Sequence, residues 1–137
     1  MTDETWMDEA ACWEHLRGQD LGRLGYHLVD EVHIVPINYV VDGRRLIFRT
    51  MPGSKLLGIV MDSDVAFEVD GQDGDVAWSV LARGTGRILE GEESREAEQL
   101  PLRPWTSGAK FTLVAIDVQS VTGRRLEMSN RAVPAEP

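Results

Sequence analysis

The chain has 137 residues, 42% hydrophobic and 27% charged, which fits one domain around one core and excludes disorder over most of the length. With 23 acidic against 14 basic side chains its formal net charge is -9, a field that disfavours nucleic acid and anionic membrane surfaces as partners. No apolar run approaches the roughly 20 residues of a spanning helix. The start MTDETWMDEA has no hydrophobic signal region, and the single cysteine, Cys12, has no internal partner, so a cytoplasmic protein is expected.

Residues 1–18 are expected to hold a short N-terminal helix. Thr5 or Asp8 can cap it, Trp6, Ala10, Trp13 and Leu16 recur at helical spacing, and Gly18 can stop it. GRLGYHLVDEVHIVPINYVVDGRRLIFRT then turns β-branched and aromatic, with roughly alternating polarity. Strands are expected near 22–28, 32–41 and 44–50. Asp42-Gly43 reads as a two-residue hairpin turn of type I′, and Pro36 within its run marks an edge or a bulge. SKLLGIVMDS sets Leu56, Leu57, Val60 and Met61 on one helical face.

DVAFEVDG alternates as a strand and ends in Asp70-Gly71, which fits a hairpin turn. A long strand follows near 76–90, with Gly84 and Gly86 marking a bend or bulge. ESREAEQLP reads as a short polar helix halted by Pro101. One more strand is expected near 111–118, with an extension near 120–127 and a loose tail over 128–137. About six or seven strands and three short helices, joined mainly by hairpins, favour an antiparallel β-barrel with helices at its ends over a doubly wound sheet.

The stretch RTMPGSK, between a strand and a helix, concentrates anion-binding chemistry in an acidic chain. Arg49 offers a planar fork, Thr50 a hydroxyl and Lys55 a point charge. Gly53 allows close approach to the backbone, and Ser54 stands where a helix would begin and expose unpaired N–H groups. That is a set of parts for a phosphate. The plain reading, Ser54 as a helix cap beside ordinary surface cations, stays open. There is no GxxxxGK run, and RGTGR at 83–87 lacks the third glycine of a dinucleotide fingerprint.

Other constellations carry less. His15, His27 and His33 show neither HExxH nor i, i+4 pairing, so no metal site is expected, although His27 or His33 beside a pocket would suit a haem. Cys12 reads as a buried inert thiol. Glu68 and Asp70 share one face of a strand, where a solvated barrel surface is a plainer reading than a glycosidase pair.

RLGYHLVDEVHIVPINYVVDGRRLIFRTMPGSKL resembles the pyridoxamine 5′-phosphate oxidase-like family, the FMN-binding split barrels. The resemblance continues through VAFEVD, AWSVLARGTGRIL, RPWTSG and SVTGRR, from about residue 10 to 128, in the family's order. It implies a mostly β fold, a six-stranded antiparallel split barrel that forms a homodimer with flavin at the subunit interface. It further implies a phosphate contact at Arg49, Thr50, Ser54 and Lys55. Pro36, Ile37 and Asn38 would border the flavin ring, Trp78, Ser79 and Val80 would form a strand beside it, and Trp105 would reach the partner's flavin. Lys110 and Arg124 are weaker suggestions. The family's range implies FMN as cofactor, with deazaflavin or haem as alternatives. It implies a small flavin-dependent oxidoreductase drawing on a nicotinamide nucleotide or a small substrate, or else a non-catalytic cofactor carrier. A barrel this small fills with its own side chains, so the cofactor is expected outside it.

Overall fold

The computed structural model describes residues 3–51, 64–102 and 111–128. In chain order these form β1 (Asp3–Trp6), α1 (Glu9–Arg17), β2 (Leu21–Leu28), β3 (Glu31–Asn38), β4 (Val40–Asp42), β5 (Arg45–Thr50), β6 (Asp64–Asp73), β7 (Val76–Ile88), α2 (Gly91–Ala97) and β8 (Thr112–Glu127). The strands join one antiparallel sheet in the order β3-β2-β6-β7-β8-β5-β4, with β1 added to the free part of β8. The helix expected after Pro52 and the tail beyond Met128 lie outside the described residues.

The two ends of that order are consecutive in sequence. Only Tyr39 separates β3 from β4, so one chain segment pairs with β2 through its first half and with β5 through its second. The sheet thereby curls back on itself into a split barrel of six strand paths. The expected strand over 32–41 is thus one run divided between two neighbours. Pro36 lies on β3, which among the described residues pairs with β2 alone, consistent with its missing N–H.

Alternation in the strands builds the core. Leu24, Leu46, Phe48, Phe67, Val69, Val80, Val114 and Ile116 face inward and are buried, each worth about 1.5–3 kcal/mol relative to exposure. α1 closes one end with Cys12, Trp13 and Leu16. Asp8, not Thr5, caps it, accepting from the Ala11 N–H at 2.8 Å. Trp6 belongs to β1 instead of the helix, because the backbone groups ahead of Met7 pair with β8 and Met7 itself donates to the Gly123 carbonyl. A second, smaller cluster lies outside the barrel, where α2 covers Ile47, Leu89, Leu113 and Ala115. Glu93 of α2 accepts from both Arg45 and Arg87, and those arginines also hold Asp42 and Asp117.

Two turns differ from their sequence reading. Asp42 pairs with Arg45, so the central residues of that hairpin are Gly43 and Arg44, with glycine first at φ 62, the type II′ pattern. Asp70 and Gly71 remain within β6; the hairpin turns at Gly74 and Asp75, where Gly74 has φ 61. A β-bulge falls between Arg83 and Gly84, as the glycines there suggest. Among the described residues no helix is long and apolar enough to cross a membrane.

A Cβ on Gly84 would stand 2.2 Å from the Asp117 carbonyl oxygen, whereas one on Gly43 meets nothing within 4 Å. Gly84→Ala should therefore cost about 3 kcal/mol in chemical denaturation, and Gly43→Ala, burdened only by its positive φ, about 1 kcal/mol. Equal losses would mean that the bulge does not need the close approach of β8.

Candidate functional site

Successive strand residues face opposite sides of the sheet, and this sorts the expected site residues into two sets. Ile37, Thr50, Trp78 and Val80 point to the inner face; Ile37, Thr50 and Val80 are buried there. Pro36, Asn38, Arg49 and Ser79 alternate with them and point outward. Ser54, Lys55, Trp105 and Lys110 lie outside the described residues.

Three of the outward residues, Pro36, Asn38 and Arg49, lie on the outer flank of β3 and β5. The β4–β5 ladder pairs Val40 with Ile47, and two residues further along both strands stand Asn38 and Arg49. The Arg49 guanidinium lies 5.7 Å from the Phe111 ring centroid. Pro36 is the cross-strand partner of Arg23 and is exposed beside it. An amide and a proline ring alternate along the outer side of β3, and the guanidinium stands on the outer side of β5. This donor set suits an anion joined to a flat, partly apolar ring. The Thr50 hydroxyl is on the other face, buried opposite Thr112, so Arg49 and Thr50 do not project together.

Ser79 is elsewhere on the outer face. Its ladder partners are Asp70 on β6 and Arg124 on β8, and β2 and β6 separate it from the β3 residues. Three strand spacings of about 4.8 Å make roughly 14 Å, beyond what one ring bound at Asn38 can touch. Between them Arg23 bonds Glu68 and Asp70, its Nε reaching Glu68 at 2.8 Å. The Glu68 hydrogen bond, followed by the charge of both carboxylates, pushes the guanidinium pKa up. Glu68 and Asp70 do share a face, and there they neutralise an arginine.

Trp78 has a different setting from the flank. Its indole stacks on the His15 imidazole of α1, centroids 3.9 Å apart and planes 24° from parallel. It also lies over Gly71, its ladder partner, where a Cβ would meet the ring at 2.7–2.8 Å. No spacing in the sequence links His15, Gly71 and Trp78; the sheet register and the docking of α1 bring them together.

A groove of about 530 Å³ runs across the outer face toward the Glu31 end of β3, lined by Val32, Ile34, Gly25, Ala66, Arg83 and Gln119 among others. Val32 and Ile34 are each 69% exposed, an apolar stripe on the terminal strand of the sheet path. His27 lines the groove, and His33 stacks on Tyr26 at 5.4 Å. Cys12 is fully buried, and desolvation, with Asp8 and Glu9 nearby, raises its thiol pKa.

The family model described as pyridoxamine 5′-phosphate oxidase matches residues 8–125. The chain belongs to this pyridoxamine 5′-phosphate oxidase-like family. It is similar to a solved FAD binding protein of Mycobacterium smegmatis, with 34% identity, a TM-score of 0.81 and coverage of 90% of this chain and 98% of that one. A Corynebacterium glutamicum structure named as a candidate pyridoxamine 5′-phosphate oxidase shares 32% identity at a TM-score of 0.84, covering 93% and 96% of the two chains. An uncharacterised Mycobacterium tuberculosis protein is 30% identical over 132 residues, 91% of this chain and 87% of its own length. The split barrel of this member of the family is the fold these relatives share.

In this family member the Trp78 position depends on Gly71. Gly71→Ala is expected to push the indole off the backbone and loosen the His15 stack, costing about 1–2 kcal/mol. The check is a change in near-ultraviolet circular dichroism and tryptophan emission that Gly74→Ala, with open space around its Cβ, does not reproduce.

Proposed function

We propose that the chain is a flavin-binding protein, with FMN as its cofactor, working as a homodimeric oxidoreductase on a small organic acceptor. The observation that carries the reading is the outer flank of Asn38, Pro36 and Arg49, in a family member 34% identical over nearly its whole length to an FAD binding protein. Arg49 supplies charge for the phosphate, with Ser54 and Lys55 following it in sequence. Thr50 and Ile37 act from beneath, as packed residues that set the two strand edges. Pro36 and Asn38 border the ring, the amide offering a donor toward its polar edge.

A bound flavin would supply the hydride and electron transfer itself; this chain's residues bind, orient and shield it. The inner volume of the barrel is filled by Phe48, Phe67 and their neighbours, so the ring is held outside, against water on its free side. A second copy offers the cover. The exposed Val32 and Ile34 stripe gives an apolar contact, and the roughly 14 Å between Ser79 and Asn38 within one subunit suits Ser79 approaching the ring from the partner. Val80 and Trp78, facing inward, position that strand; Trp105 remains a candidate for the partner's ring on its resemblance alone. A hydride donor such as a reduced nicotinamide would enter from the open side. The cytoplasm suits such a reduced cofactor.

FAD is the second reading, favoured by the Mycobacterium smegmatis relative. Releasing the cofactor from protein loaded with a flavin mixture, and separating it by chromatography, distinguishes the two. Arg49→Ala and Lys55→Ala should each weaken FMN binding about ten-fold, read by flavin fluorescence titration, because a charge-assisted contact is worth roughly 1.5–3 kcal/mol. Wild-type affinity in both variants would remove the phosphate from this flank. Anaerobic bleaching by a reduced nicotinamide, with colour restored by an added acceptor, is the expected sign of turnover; a flavin that does not bleach would mark a carrier.

A further inference from the structure

Four arginines among the described residues are half-buried, and three of them are held by carboxylates. Arg23 meets Glu68 and Asp70, Arg45 meets Asp42 and Glu93, and Arg87 meets Asp117 and Glu93. Arg49 is the fourth. Among the described residues it meets no carboxylate, and its partner is Phe111, with the guanidinium carbon over the ring at 5.7 Å from the centroid. Arg44 also lies over a ring, Trp13 at 5.5 Å, yet its guanidinium donates to Glu9. Taking a guanidinium partly out of water is unfavourable, and a carboxylate normally offsets it. The chain has 23 acidic side chains, and none of those described reaches Arg49.

The ladder explains how Phe111 comes to stand there. Leu113 on β8 is the cross-strand partner of Arg49 and is buried in the small outer cluster with Ile47 and Ala115. Phe111 precedes Leu113 by two residues. Ring and guanidinium are therefore diagonal neighbours across the β5–β8 pair, a separation that an aromatic and a long side chain can bridge. The chemistry of this contact differs from that of an ion pair. A phenyl ring has no lone pair, so it attracts the cation through its π-electrons and takes none of the five N–H donors as a conventional hydrogen bond. A carboxylate in its place would occupy two donors and neutralise the charge.

We propose that Phe111 is a positioning residue for the cofactor's phosphate: it restrains the Arg49 side chain before the ligand arrives and leaves the fork open to the phosphate oxygens. This rests on the reading of Arg49 as a phosphate contact. An arginine moving freely in water gives up rotamer freedom when it binds, and one already restrained gives up less. The ring thereby raises affinity for a phosphorylated flavin and not for the same flavin without its phosphate.

The test compares FMN with riboflavin, which lacks the phosphate, by flavin fluorescence titration of the full chain. Phe111→Leu keeps apolar bulk and loses the π face. It should weaken FMN about three-fold and leave riboflavin unchanged, because a partly exposed contact of this kind is small. Phe111→Tyr should bind both as the unaltered chain does. In an Arg49→Ala background, Phe111→Leu should cost FMN nothing further. Unchanged FMN affinity in Phe111→Leu, or equal losses for FMN and riboflavin, would overturn the positioning role, while weaker FMN binding by Arg49→Ala alone would still uphold the phosphate contact. Full FMN affinity in Arg49→Ala would remove the contact and the role of Phe111 together. In the unaltered 15N-labelled chain, the Arg49 Nε–H signal should be ring-shifted and should move with FMN but not with riboflavin. A signal at the position of a freely rotating arginine would overturn the role without any variant having to fold.

Discussion

The structure depends on one residue's backbone, the joint at Tyr39. Up to Asn38 the chain is paired with β2; from Val40 it is paired with β5. At the joint the Tyr39 N–H donates to the Asp20 carbonyl at 3.1 Å, and its hydroxyl donates to the Leu16 carbonyl at the end of α1. Its ring meets Phe67 edge to face, with centroids 4.7 Å apart. Burial pushes the phenol's pKa up, so the hydroxyl stays a donor across the working pH range. One side chain thereby ties helix, sheet closure and core together. A sheet that did not hand over at this point would remain open, and β3 and β5 would not come into contact.

The two faces of the sheet do different work. The inner face is apolar until it passes the barrel end, where Trp78 meets His15 of α1. The outer face carries the acidic surplus of the chain, but near the flank that surplus is locally cancelled. Arg23 holds Glu68 and Asp70, while Arg45 and Arg87 hold Asp42, Asp117 and Glu93. An anion approaching Arg49 therefore meets paired carboxylates instead of free ones, which lowers the repulsion expected from a net charge of -9. The Glu93 pairs are exposed and individually weak, and their role is to orient α2 over Ile47 and Leu113.

Much of this was legible in the residues. Strand periodicity located most of the ladder, Pro36 marked the terminal strand, and Gly84 marked the bulge. The order of short motifs identified the family. Where sequence reading failed, local signals competed with partners distant in the chain. Asp70-Gly71 looks like a turn, yet Gly71 is needed under the Trp78 ring and the strand continues to Asp73. Trp6 has helical spacing to Trp13, yet β8 offered its backbone a ladder. Asp42-Gly43 signalled a hairpin correctly but placed its centre one residue early, because register is set by the packed faces of β4 and β5.

The sequence by itself determined the strand-rich class and the family, because these rest on periodicity and on the order of chemistry along the chain. Tertiary structure decided which side chains share a surface. Alternation separates Arg49 from Thr50 and Trp78 from Ser79, and barrel closure brings β3 and β5 into contact. The docking of α1 places His15 on Trp78. Such pairings depend on strand register summed around a closed sheet, a quantity that no local stretch of residues contains.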